Sequence, residues 1–238
     1  MRIITNTKLI NRNVTIARYA GTGGLVLLIG AFLLNLYALS QPQNVQLVTY
    51  VFVAFLVGFA LTTVGTMFQN RWGRRPDAGL AEGLKGLDDR YHLYNYRLGA
   101  SHVLMGPNGL TVLLPKYQAG RITYQDGKWR HPGGPRGFLT FFAPRDPLGN
   151  PAAEAAGEVE ALNSFLKKRA PEVAVAPQAL IVFLHSGAEV VAKDSPIAAV
   201  HVKQLKDHIR RQPKNAALSP ALLADLDAKL GLAPSEAP

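Results

Sequence analysis

The chain has 238 residues, 48% of them hydrophobic and 18% charged, with no cysteine and a formal net charge of +10. That length holds one domain of ordinary size with residues to spare, and the apolar content excludes a disordered chain. Without cysteine there is no disulfide framework, no thiolate zinc site and no cysteine nucleophile. A nucleic-acid binder of this size would carry such a positive excess, so the placement of the charges comes first.

Up to residue 75 the charged residues are Arg2, Lys8, Arg12, Arg18, Arg71, Arg74 and Arg75, with no acid before Asp77. Seven of the ten net charges therefore lie there, and the rest of the chain has nineteen basic against sixteen acidic residues, or +3. Between Tyr19 and Asn70 there is neither a charge nor a histidine. Two apolar runs, 21–39 and 47–68, fill this interval, joined by a short uncharged loop with Pro42. As a helix the first would reach about 28 Å, and the second is slightly longer. In hydrocarbon each backbone group must be satisfied within its own segment, so a transmembrane helical hairpin is expected over 19–70, after a basic N-terminal segment, 1–18.

Two other readings compete. The runs could be buried core helices of a soluble protein, but apolar stretches this long with charges only outside them favour the membrane. The first could be a cleaved signal peptide, with Ala38 and Ser40 as small residues at the cut. The long basic leader and the second run close behind argue against it. Four basic residues precede the first run, three follow the second, and the loop has none, which predicts both termini in the cytoplasm. Tyr19, Tyr37, Tyr50 and Trp72 stand near the four ends as interfacial anchors. Ala54, Gly58, Thr62 and Thr66 make an i, i+4 ridge of small residues, suited to close packing of the two helices or to a homodimer.

Residues 76–212 have the composition of a mixed soluble domain. A short helix is expected over 78–90, then a strand at 91–98. The stretch 101–115 reads as a hairpin about Pro107, Asn108 and Gly109, and 122–130 as another with Asp126 and Gly127 at its tip. One more strand is expected at 137–144. A helix over 151–169 has Val159, Leu162, Phe165 and Leu166 on its apolar face and Lys167, Lys168 and Arg169 in its last turn. The apolar run 179–184 suits the centre of a sheet, 188–192 a minor strand, and 202–211 a basic amphipathic helix. A C-terminal helix led by Ser219 and Pro220, and a disordered tail, complete the chain at 213–238. The fold class is α/β, a mixed sheet flanked by helices behind a transmembrane hairpin.

The stretch 101–122 resembles the nuclease-related domain (NERD) family. His102, Gly106, Pro107, Gly109, Val112, Lys116 and Gly120 fall in register with that family's core, and Asn150 and Pro151 with the start of its later helix. The similarity covers about residues 78–212. It implies a restriction-endonuclease-like fold and metal-dependent phosphodiester hydrolysis as the ancestral chemistry, in which an Asp and a Glu hold Mg²⁺ and a Lys helps activate water. Here the Asp position is Ser101, the Glu position is Leu114 with Pro115 beside it, and the helix glutamine is Glu154; Lys116 alone survives. A hard cation needs anionic oxygens, so a catalytically degenerate domain with no metal and no cofactor is expected. Glu82, Asp88, Asp89 and Glu154 are the acids that would have to substitute if the chain is an active Mg²⁺-dependent nuclease, and nothing in their spacing aims them at Lys116.

Other constellations are weaker. The six histidines lack metal-ligand spacing, and the glycines at 133, 134 and 137 lack the Lys-Ser/Thr of a phosphate loop. From Lys116 to Arg145, however, Lys116, Arg121, Lys128, Arg130, Arg136 and Arg145 face a single acid, Asp126, with Tyr117, Tyr124, Trp129, Phe138 and Phe141 interleaved. Such a patch suits nucleic acid or anionic lipid headgroups, unless the aromatics are core residues of the strands. The expected partners are thus the membrane, a protein or second copy met through the helices, and, as an alternative, nucleic acid bound without cleavage.

Overall fold

The computed structural model describes residues 1–41, 43–131, 147–171 and 175–213. The strand expected at 137–144 and the C-terminal helix lie outside the described residues. Two compact units divide the chain: Thr7–Arg75, and Met1–Asn6 together with the residues from Pro76 onward.

The first unit is an antiparallel helical hairpin. Helix α1 spans Thr7–Ala38 and α2 spans Val45–Phe68, ending in a π-helical turn at Gln69–Gly73. At 32 residues α1 is about 48 Å long, well beyond a hydrocarbon core of ~30 Å. Its first turns absorb Lys8, Arg12 and Arg18, expected to belong to a separate basic leader. The second helix begins two residues earlier than its apolar run, because the Asn44 side chain caps it by accepting from the Leu47 amide at 3.1 Å.

Residues buried along α1 include Ile10, Ala17, Gly24, Ala31 and Ala38, and along α2 Val51, Gly58 and Gly65. Both series step by seven, the period of a left-handed helix pair. The seam is so close that a Cβ on Gly24 would lie 2.5 Å from Thr62 Oγ1, and one on Gly65 would meet the Gly21 backbone. Gly58 and Thr62 of the anticipated ridge are used here. Thr66 is exposed, because an i, i+4 row drifts off a seam of period seven. The threonine hydroxyls donate back to carbonyls one turn earlier, Thr62 to Gly58 at 2.8 Å and Thr66 to Thr62 at 2.9 Å, so none needs an outside partner. Large apolar side chains, Phe32, Phe52 and Phe59 among them, point outward. Only 11% of each apolar window is buried, unlike the mostly buried core helix of a soluble protein, and both helices are long and apolar enough to cross a membrane.

The second unit is a mixed α/β domain. Its strands are β1 (Arg2–Thr5), β2 (His92–Leu98), β3 (Ala100–Gly106), β4 (Gly109–Lys116), β5 (Gly120–Gln125), β6 (Lys128–Arg130), β7 (Gln178–Phe183), β8 (Ala188–Val191) and β9 (Ala198–His201). Its helices are α3 (Pro76–Gly83), α4 (Pro151–Arg169) and α5 (Val202–Arg211). Six strands form one sheet in the order β1-β2-β3-β4-β7-β9, and β6-β5-β8 form a smaller one. β2, β3 and β4 are an antiparallel meander, whereas β7 and β9 run parallel to β4 and β1 parallel to β2.

Alternation along the strands sorts the core. Val103, Met105 and Val112 pack with Leu162 and Leu166 of α4 on one face. Leu104, Leu113, Leu180 and Val182 pack with Leu80 and Leu84 of α3 and Leu205 and Ile209 of α5 on the other. β7 is covered on both faces between β4 and β9, which accounts for its continuous apolar run. Asp126 and Gly127 both take positive φ (51° and 73°), the geometry of a two-residue hairpin turn that follows strand twist. The N-terminal strand has no counterpart in the sequence reading. Arg2 to Thr5 pair in register with His92 to Asn95, Ile4 is buried, and the Asn95 side chain donates to Thr5 Oγ1 at 3.0 Å.

Candidate functional site

The last turns of β4 and the start of α4 meet at one pole of the domain. Past Val112, β4 has parted from β3 and pairs with β7 alone as far as Lys116, so Pro115 falls where only one side of the strand is paired. Alternation turns both Leu114 and Lys116 toward the α4 face. Leu114 is buried in an apolar cluster with Ile181, Phe183, Ala155 and Leu148. Lys116 is 8% exposed, and its ammonium donates to Glu154 Oε1 at 2.8 Å, Glu154 Oε2 at 2.7 Å and the Leu148 carbonyl at 3.1 Å. All three of its donors are thereby engaged.

The segment leading into α4 is shaped around this contact. Asn150 caps the helix, accepting from the Ala153 amide at 3.3 Å, and Pro151 follows in the first turn. Gly149 has φ +66°, and a Cβ there would stand 2.8 Å from Glu154 Oε1. The positive φ favours glycine here, and a side chain would also push the Glu154 carboxylate aside. Glu154 lies in the first turn of α4, where the helix dipole favours an anion. Contrary to the sequence expectation, Glu154 does reach Lys116.

One helical turn on, Glu158 accepts from the Ser101 amide at 2.6 Å and from the Ser101 hydroxyl at 2.9 Å. Sequence reasoning missed Glu158; its signal was the i, i+4 spacing from Glu154, which places both carboxylates on the side of α4 that faces the strands. The other substitute acids are elsewhere. Glu82 is on α3, across the sheet, while Asp88 pairs with Arg90 at 2.5 Å and Asp89 with the terminal ammonium at 2.9 Å. The Arg90 hydrogen bond holds the Asp88 carboxyl below its ordinary range.

His102 points to the opposite face. It is 1% exposed, its Nδ1 lies 2.8 Å from Asn95 Oδ1, and the Tyr96 ring meets it edge-on at 4.8 Å. Since the Asn95 amide nitrogen is committed to Thr5, its oxygen faces the imidazole, which donates as the neutral ring. Burial lowers the His102 pKa to about 4, with Asp77 opposing. The histidine therefore ties β1, β2 and β3 together as a structural group.

The donor set does not fit a divalent cation. Leu114 offers no oxygen, Glu154 is neutralised by Lys116, and Glu158 is held by Ser101. Among the described residues no three His, Asp or Glu side chains cluster.

The basic patch is dispersed by the fold. Lys116 is buried and paired, Arg121 approaches Glu189 at 4.0 Å and Arg130 pairs with Asp126 at 3.1 Å. Lys128, on the hairpin of β5 and β6, has no carboxylate partner among the described residues. Arg136, Arg145, Phe138 and Phe141 lie outside them. Trp129 meets Tyr124 edge-on and Phe183 at a tilt, with ring centres 5.3 and 6.5 Å apart, and packs half-buried against the core. His201 and His208 do not converge on a ligand: His201 caps α5 by accepting from the Lys203 amide at 3.2 Å, and His208 has its pKa lowered by partial burial. No family model, curated protein or solved structure matches the chain.

Proposed function

We propose that this is a membrane-anchored protein that displays a catalytically degenerate NERD-like domain, of restriction-endonuclease type, in the cytoplasm, where it binds or scaffolds rather than cleaves. The observation that carries this reading is the pole around Lys116. The strand position that would supply a metal-binding carboxylate is an apolar core residue, Leu114, and the surviving lysine is neutralised by Glu154. The element order, a helix, a meander of three strands, a two-strand hairpin, a helix, then three strands and a helix, is in keeping with it.

Two features support the anchor. The hairpin turns its large apolar side chains outward, as hydrocarbon requires. Strand β1 precedes α1 yet pairs with β2, which follows α2, and one sheet cannot straddle a bilayer. This pairing supports placing both ends of the hairpin on one side, and the basic flanks favour the cytoplasm as that side. Cleavage near Ala38 would strip β1 from the sheet, which argues against a signal peptide.

The full chain in uncharged detergent, incubated with DNA or RNA and Mg²⁺ or Mn²⁺, should leave the nucleic acid intact. Cleavage that disappears in Lys116→Ala would instead establish the active-nuclease alternative. A mobility shift without cleavage, falling steeply with salt, would establish the nucleic-acid binder. A periplasm-dependent reporter fused after Pro238 should be silent; activity there would reverse the orientation.

A further inference from the structure

On the face of the sheet opposite Lys116, helices α3 and α5 flank a cleft of about 440 Å³. Its floor is apolar, made by Leu184 and Val202, and α3 comes close because Gly83 has no side chain. A Cβ there would lie 2.5 Å from Val202 Cγ2. Its rim is cationic. Lys85, Lys203 and Lys206 line it against one acid, Glu82. Glu82 does little to offset them: it reaches only Lys85, at 3.8 Å, with both side chains 77% exposed. Neither Lys203 nor Lys206 has a carboxylate partner among the described residues. Arg210 adds to the excess, donating to the Gly86 carbonyl at 2.7 Å, while the Lys206 ammonium stands beside the same glycine. Of the other acids near it, Asp88 is spent on Arg90 and Asp89 on the terminal ammonium, while Asp207 of α5 is exposed and does not line the cleft.

Like charges converging on a concave surface repel one another in the free protein, and an anion that bridges them relieves the repulsion. Ammonium groups on flexible stems suit phosphate as point charges rather than as a planar fork. The volume is that of a small-molecule site, and apolar floor beside cationic rim matches an amphiphile. We infer that the cleft between α3 and α5 binds a phosphate-bearing lipid headgroup through Lys85, Lys203 and Lys206. This site is separate from the Lys116 pole and does not depend on how that pole is read.

The test uses the full chain in uncharged detergent, titrated with dioctanoyl phosphatidic acid, dioctanoyl phosphatidylcholine, glycerol 3-phosphate and inorganic phosphate, and followed by native mass spectrometry and calorimetry. The triple variant K85Q/K203Q/K206Q changes only rim side chains. The control K167Q/K168Q removes two exposed lysines from the last turn of α4. Phosphatidic acid should saturate the parent and the control, weaken with salt, and bind the triple variant at least about tenfold less tightly at an unchanged melting temperature. Phosphatidylcholine should bind far more weakly. Equal binding by parent and triple variant, or none by the parent, overturns the site. If glycerol 3-phosphate or inorganic phosphate binds as tightly as phosphatidic acid, the lipid is overturned as the source and the ligand is a free phosphate compound.

Discussion

The two units of this chain bury opposite kinds of residue. In the hairpin Gly24, Ala31, Gly58 and Gly65 face inward while Phe32, Phe52 and Phe59 face out. In the sheet domain Leu80, Leu104 and Phe183 are inside. The contrast supports the proposed placement of the hairpin in hydrocarbon and of the sheet domain in water. In water, burial of apolar area is the driving term, so large side chains go to the centre. In hydrocarbon a phenylalanine gains nothing by that exchange, and close backbone approach through small residues supplies the attraction.

Phenylalanine offers the sharpest way to break that comparison. Phe183→Ala empties a fully buried site and should cost about 3–5 kcal/mol in denaturant unfolding of the detergent-solubilised chain. Phe59→Ala, at a side chain 69% exposed in the hairpin, should cost less than about 1 kcal/mol. Equal losses would show that both units are packed for water. The hairpin should instead be hurt by addition: Gly65→Leu drives a side chain into the Gly21 backbone and should cost about 1–3 kcal/mol, read as loss of helix pairing or of monodisperse protein.

A second difference is electrostatic, because the sheet domain holds a buried titratable group. His102 has its folded pKa lowered to about 4, below the ordinary value of 6.5. The unfolded chain therefore binds the proton first. Stability is fully present above pH 6.5 and is lost as pH falls toward 4, by about 2–3 kcal/mol between pH 7.5 and 4.5. Denaturation midpoints at the two pH values measure this, and His102→Gln should flatten the dependence.

Smaller effects follow from the ion pairs. Lys116→Met leaves Glu154 without its partner beside an apolar cluster. Because the Glu154 side chain is 45% exposed, the loss should be about 1–2 kcal/mol, less than for a fully buried pair. Adding Glu154→Gln should recover part of it in a double-mutant cycle. Arg130→Ala, at an exposed pair with Asp126, should change stability by less than about 0.5 kcal/mol. An equal cost at the two sites would contradict the distinction between a built pole and a solvated surface.

Local signals were the legible ones. Asn150, Pro151 and the basic last turn delimit α4 as Pro151–Arg169, and Asp126 with Gly127 places the turn between β5 and β6. Distant pairings were not legible. Nothing in Arg2 to Thr5 names a partner at His92 to Asn95, because a four-residue edge strand carries too little pattern. Glu154 and Lys116 are 38 positions apart, and only the packing of α4 across the meander brings them together. The small-residue seam was half legible: Gly58 and Thr62 stood in the anticipated ridge, but Gly24 and Gly65 did not, because a period of seven depends on how two helices wind about each other.

The parallel pairing of β1 with β2 has a consequence for how the chain is made. β1 leaves the ribosome ahead of both apolar helices, and the strand it joins leaves after them. Until then β1 has no strand to pair with. If the hairpin spans a membrane as proposed, a molecule with only one helix across would leave β1 and β2 in different compartments, and its sheet could not close. Under the proposed anchoring, only copies with both helices across would acquire a finished sheet.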